Sequence, residues 1–208
     1  MKKNVAEILD TLELIYPDAE CELNYTTPFE LLIATILSAQ CTDVRVNIVT
    51  GEMFKNYNTP KAFSEISVTQ IEEMIKTCGL FKTKAKKIKE SSEIILGKFN
   101  GEVPRNLDDL ISLPGVGRKT ANVVLSNAFG VDSMAVDTHV FRVSNRIGFV
   151  KTTTPEKTEF ELIKVIPKGR LTKTHHTLIF HGRRCCKAKN PTCDICIIKN
   201  QCDFYVKK

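Results

Sequence analysis

The chain has 208 residues, of which 42% are hydrophobic and 26% charged, ordinary globular values that exclude a disordered tail protein and a coiled coil. One large domain or two interlocked lobes are expected at this length, burying roughly 70% of the extended chain's surface without staples. Lys2 and Lys3 open the sequence, but Glu7, Asp10 and Glu13 follow where an export signal needs an unbroken apolar run. The most apolar stretch, Leu31 to Leu37, is far short of the ~20 residues that cross a bilayer. The sequence predicts a soluble cytoplasmic protein with no membrane segment.

Thirty Lys plus Arg against 24 Asp plus Glu give a formal charge of +6, unevenly spread. Residues 1–150 hold 17 basic and 19 acidic side chains, and 151–208 hold 13 and 5. The excess at the C-terminal end suits a polyanion or, equally, a solvated basic tail.

Taken in order, the elements read as helices. Thr27-Pro28-Phe29-Glu30 has the Thr and Glu of a capping box and a proline at the first helical position. Phe29, Leu32, Ile33, Ile36 and Leu37 follow as one apolar stripe at spacings of three and four. Similar starts occur at Thr59-Pro60, at Ser67 with Gln70 and at Thr154-Pro155, and Gly79, Gly101 and Gly130 mark helix ends. Residues 82–89 hold five lysines, which face either DNA or water. No alternating run bounded by turns suggests a sheet, so the fold class is all-α.

Residues 106–130, NLDDLISLPGVGRKTANVVLSNAFG, read as a short helix, a tight turn and a longer helix from Arg118, that is, a helix-hairpin-helix. Pro114 and Gly115 stop the first helix and Gly117 lets the backbone turn. The Gly115-Val116-Gly117 turn is without bulky side chains, so N–H groups at the second helix's N-terminus can reach a phosphate, helped by the helix dipole. A nucleotide P-loop is excluded, because Arg118 stands where its second glycine belongs and a helix, not a strand, precedes. Lys119 lies in the first turn beside Arg118. Partial burial, the positive helix end and the guanidinium would favour its neutral amine, the form that can attack a sugar's anomeric carbon. The plain alternative is a lysine that only pairs with phosphate.

Asp137 stands at the N-cap of the next amphipathic helix, AVDTHVFRV at 135–143. Capping alone accounts for an Asp there. Sharing a cleft with Lys119, it could also stabilise positive charge developing on a deoxyribose ring. His139 reads as packing or polar support.

Five of the eight cysteines fall between Cys185 and Cys202, and in a reducing compartment clustered thiolates hold metal more often than they form disulfides. Cys186, Cys193, Cys196 and Cys202 are spaced C-x6-C-x2-C-x5-C, four soft ligands for zinc or a 4Fe-4S cluster; the single short knuckle leans towards iron-sulfur. Locally, Cys185 and Cys186 are interchangeable candidates. Cys21, Cys41 and Cys78 read as small core hydrophobes.

LLIATILSAQ at 31–40, LPGVGRKTANVVL at 113–125, VDTHVFRV at 136–143 and the cysteine loop together resemble the endonuclease III branch of helix-hairpin-helix DNA glycosylases with AP lyase activity, over nearly the whole chain. The resemblance implies two α-helical lobes with a DNA-binding cleft between them: a six-helix lobe at 20–131 carrying the hairpin, and a second lobe from 1–19 plus 132–208 carrying a 4Fe-4S cluster in the loop 186–202. It further implies that Lys119 is the Schiff-base nucleophile and Asp137 the catalytic carboxylate. Cys186, Cys193, Cys196 and Cys202 match the cluster ligands, setting Cys185 aside. Gln40 matches the residue that fills the gap left by an extruded nucleotide, and Leu80 a wedge between bases. The related adenine glycosylases carry a carboxylate in the early helix and no hairpin lysine; residues 31–40 contain no carboxylate and Lys119 is present. The implied function is excision of oxidised pyrimidines from duplex DNA and β-elimination at the abasic site, by a monomer whose one cofactor is the cluster. The alternative is a catalytically inactive or monofunctional helix-hairpin-helix DNA-binding protein.

Overall fold

A computed structural model describes residues 4–206; Lys2 and Lys3 lie outside them. Every regular element among the described residues is helical: α1 (Val5–Ile15), α2 (Pro28–Ser38), α3 (Asp43–Met53), α4 (Pro60–Glu65), α5 (Val68–Ile75), α6 (Phe81–Lys98), α7 (Leu107–Ile111), α8 (Arg118–Phe129), α9 (Thr138–Ile147), α10 (Pro155–Val165), α11 (Leu171–Arg184) and α12 (Asp203–Val206), with 3-10 turns at Cys193–Ile195 and Lys199–Gln201. None is long and apolar enough to cross a membrane.

The chain divides into two compact units, one formed by Glu22–Val131 and the other by the segments on either side of it. In the first, α2 is the axis. The predicted stripe is buried, but so are Leu31, Ala34 and Thr35, because α3, α6 and α8 all pack against this helix. A helix wrapped on all sides loses the amphipathic pattern that marks a surface helix. The Thr half of the predicted capping box forms, Thr27 accepting the N–H of Glu30 at 3.1 Å, but Glu30 reaches past the N-cap to Thr26. The Glu30 carboxylate accepts the N–H of Thr26 at 2.6 Å and its hydroxyl at 2.7 Å, which satisfies a buried charge. Thr59 and Ser67 cap α4 and α5 in the same way, the latter as a full capping box with Gln70.

In the second unit, Ile8, Leu9 and Leu12 of α1 share a core with Val140, Val143 and Ile147 of α9, Leu162 of α10 and Leu178 of α11. The same core takes in Cys186 and Ile198 of the cysteine loop, so the loop is seated on apolar packing rather than only draped over it. The approach to α9 is tied down by main-chain partners. Asp132 accepts the N–H groups of Gly169 and Leu171 at 2.6 and 2.8 Å, and the buried ring of His175 donates from Nδ1 to the Ala135 carbonyl at 2.7 Å.

Candidate active site and nucleic-acid interface

The hairpin forms as α7, a turn and α8. Its sharp bend lies at Gly115, whose φ is +84°, while Gly117 has ordinary extended backbone at φ −90° and ψ 173°. The expectation that Gly117 supplies the bend is therefore corrected. A Cβ on Gly115 would meet the stem of Lys87 at 3.0 Å, whereas one on Gly117 would meet nothing within 4 Å. Gly115 is glycine for the fold; the bare, exposed N-cap at Gly117 leaves room for a group from outside. The hydroxyl of Ser91 on α6 donates to the Pro114 carbonyl at 2.7 Å, and Val116 is buried with its N–H on the Leu113 carbonyl at 3.1 Å. The turn is thus held rigidly from behind.

Arg118 is half-buried and Lys119 exposed at the first turn of α8. Lys119 stands two residues past the bare N-cap at Gly117 and is exposed, so the partial burial expected of it is absent. Beside it lie the positive N-terminal end of the 12-residue α8 and the Arg118 side chain.

Gln40 and Leu80 are exposed and share an unusual backbone. Among the described residues, four non-glycine residues have positive φ: Gln40 at 54°, Leu80 at 58°, Asn100 at 53° and Asn190 at 51°. Asparagine enters this region readily, but Gln and Leu do not, so the two predicted insertion residues carry conformational strain that local preference does not explain. Sequence spacing gave no sign that they are neighbours. A Cβ on Gly79 would lie 2.9 Å from the Gln40 carbonyl oxygen, so the turn before Leu80 abuts the turn at Gln40.

Asp137 caps α9 as expected: its Oδ1 accepts the N–H of Val140 at 2.8 Å. The residue is half-buried. His139 accepts from Arg142 Nη2 at 3.2 Å through Nδ1 and packs on Gly182, where a Cβ would come within 3.0 Å of that nitrogen. This is the polar support read from sequence.

In the cysteine loop, ligand atoms of His181, Cys185 and Cys196 lie within 4.8 Å of one another. Of the four cysteines the resemblance assigns, Cys196 is in this group, and Cys185, which it set aside, is there too. Cys186 and Cys202 lie beside Arg146, which donates from Nη1 to Cys186 Sγ at 3.6 Å and accepts the Cys202 thiol at its carbonyl at 3.4 Å. Burial pushes the Cys196 thiol up to about 12, with neighbouring Cys185 and Cys202 adding to it, and lowers His181 to about 4. Sulfur donors crowded into one loop, an arginine aimed at one of them and a neutral histidine fit a soft metal or a negatively charged iron-sulfur centre. His181 was missed in the sequence, although its place four residues before Cys185 on one helix face was the available signal.

Residues 33–168 match the HhH-GPD superfamily of base excision DNA repair proteins. Endonuclease III of Rickettsia conorii is 49% identical over 97% of this chain and 96% of its own length, and endonuclease III of Escherichia coli K12 is 48% identical over 97% and 95%. A trapped covalent intermediate of an endonuclease III with DNA superposes with a TM-score of 0.93 at 47% identity, covering 98% of this chain and 96% of the other. A non-covalent endonuclease III–DNA complex gives 0.92, also at 47% identity, covering 98% and 95%. The chain therefore belongs to the HhH-GPD superfamily and, within it, to the endonuclease III family.

Proposed function

We propose that the chain is a bifunctional DNA glycosylase and AP lyase that removes oxidised pyrimidines from duplex DNA and cuts the strand at the resulting abasic site. The observation that carries this reading is Lys119, exposed in the first turn of α8 directly behind the Gly115–Gly117 turn. A helix N-terminus that can hold a phosphate presents an amine one residue further on.

The hairpin grips phosphate through backbone N–H groups, without reading bases. Gln40 and Leu80 enter the stack and stabilise the extruded nucleotide by filling its place. The Nζ lone pair of Lys119 attacks the anomeric carbon, the glycosidic C–N bond breaks, and the base leaves with its electron pair and takes up the proton that the attacking nitrogen gives up. The C1′–O4′ bond then breaks, O4′ takes a proton from solvent to become a hydroxyl, and the opened sugar is an iminium. Loss of a C2′ proton then expels the 3′ phosphate as the C3′–O bond breaks. The Asp137 carboxylate, oriented by its bond to Val140, stabilises the positive charge that develops on the sugar.

Cys186, Cys193, Cys196 and Cys202 would hold a 4Fe-4S cluster, which would tie the loop into one rigid, basic surface. Lys187 and Lys189 are exposed on that loop and add electrostatic attraction to the DNA backbone. The protein acts as a monomer on chromosomal DNA in the cytoplasm.

The test is product analysis on an oxidised-thymine duplex in a magnesium chelator. The expected product is a nicked strand ending in an unsaturated sugar remnant. Base release without a nick would mean a monofunctional glycosylase, and intact strands with the base retained would leave only a DNA-binding protein.

A further inference from the structure

Among the five lysines at 82–89, Lys84 is buried, at 4% exposure. Its ammonium sits on main-chain carbonyls, donating from Nζ to Leu37 O at 2.8 Å and to Ala39 O at 2.6 Å. These two oxygens belong to the last turn of α2 and to its C-cap, where carbonyls run out of helical partners and the dipole is negative. Burial lowers the Lys84 amine, and the nearby thiols of Cys78 and Cys41 act in the opposite direction. Lys84 also stands at the start of α6, with its N–H on the Leu80 carbonyl at 3.0 Å.

This one residue therefore links the two strained positions, by its side chain next to Gln40 and by its main chain to Leu80. The Ala39 carbonyl belongs to the peptide plane that supplies the N–H of Gln40, so holding that oxygen fixes the plane about which Gln40 takes its φ of 54°. At its other end the lysine is one turn beyond Leu80, which precedes α6 at φ 58°. A left-handed Gln or Leu persists only where its surroundings over-determine it, and Lys84 supplies that determination at the Gln40 side. It is too deeply buried to meet DNA itself.

We infer that Lys84 is a positioning residue that locks the Gln40 turn against the Leu80 turn, presetting the pair for insertion into the duplex. The inference rests on the proposed gap-filling role of Gln40. Its effect is confined to substrates with a stack to enter: a single-stranded abasic oligonucleotide has no opposite base and no hole to fill.

The test compares Lys84→Met, which keeps the stem and removes the donors, with Gln40→Ala and the double variant. Single-turnover strand cleavage is measured on a lesion duplex, and borohydride trapping on a single-stranded abasic oligonucleotide. Lys84→Met is expected to slow duplex cleavage about 10- to 100-fold, the cost of a reacting group misplaced by about an ångström, and to leave single-strand trapping at the wild-type level. In the double variant the loss should be no greater than in Gln40→Ala. If Gln40→Ala slows the duplex reaction and Lys84→Met does not, Lys84 has no positioning role. Equal losses on duplex and single strand, or additive losses in the double variant, would also overturn it, reducing Lys84 to a helix anchor. If Gln40→Ala itself has no effect on duplex cleavage, it is the gap-filling role of Gln40 that falls.

Discussion

The carboxylate of Asp137 accepts the N–H of Val140 at 2.8 Å, so the proposed catalytic acid group is also the cap of α9. The two roles separate chemically. Asparagine caps a helix about as well as aspartate, so Asp137→Asn should unfold within about 0.5 kcal/mol of the wild type in urea and keep the helix. Loss of the charge should nevertheless slow single-turnover base release by about 100-fold or more. A variant with unchanged rate would confine Asp137 to capping.

Gly115 and Gly117 should respond in opposite ways. Alanine at 115 must adopt φ +84° beside the Lys87 stem, which should cost about 1–2 kcal/mol of stability. Alanine at 117 has extended backbone and open space, so thermal unfolding should be unchanged. Its methyl group would stand where a phosphate approaches, and affinity for undamaged duplex should fall, measured by fluorescence anisotropy at fixed salt. Unchanged affinity for Gly117→Ala would place the DNA backbone elsewhere.

The cysteine loop predicts colour. Purified protein should absorb broadly near 400 nm, roughly where iron-sulfur centres do, and contain iron and sulfide. Replacement of Cys196 by Ser should bleach the band and destabilise the unit built from α1 and α9–α12, because Cys186 and Ile198 belong to its core. A colourless protein containing zinc would assign the site to the other soft ion, with His181 among the candidates for a ligand.

Acid should weaken the same unit through His176. Burial, with the positive charge of neighbouring groups, lowers this imidazole to about 3 from its ordinary 6.5. The unfolded chain then binds the proton more readily, so the stability linked to His176 is fully present above pH about 6.5 and declines as pH falls towards about 3. The limit is about 1.4 kcal/mol per pH unit. Urea midpoints between pH 7 and 4.5 should drop, and His176→Gln should flatten the dependence; an unchanged slope would remove His176 as the cause.

Helix starts were legible because capping is local chemistry: Thr27, Thr59, Ser67, Asp137 and Thr154 all cap as their neighbours suggest. The burial of α2 on every side was not, since Thr35 is buried by neighbours distant in sequence. The lysines at 82–89 show the same limit. Lys84 is buried on carbonyls, Lys87 lies under Gly115, Lys89 donates to the Ser64 carbonyl and Lys86 pairs with Glu90 at 3.8 Å. Within two helical turns identical side chains are sorted into different environments that no spacing rule separates. Likewise, the meeting of the Gln40 and Leu80 turns depends on packing between α2 and α6, which linear sequence does not encode legibly.

Borohydride reduction during turnover tests the covalent role of Lys119 most directly. Wild-type protein with abasic duplex should yield a protein–DNA adduct that survives denaturing electrophoresis, with the modified peptide containing Lys119. Lys119→Gln should bind the same duplex and give no adduct. An equal yield from both proteins would contradict the account, since the imine would then have formed on some other amine.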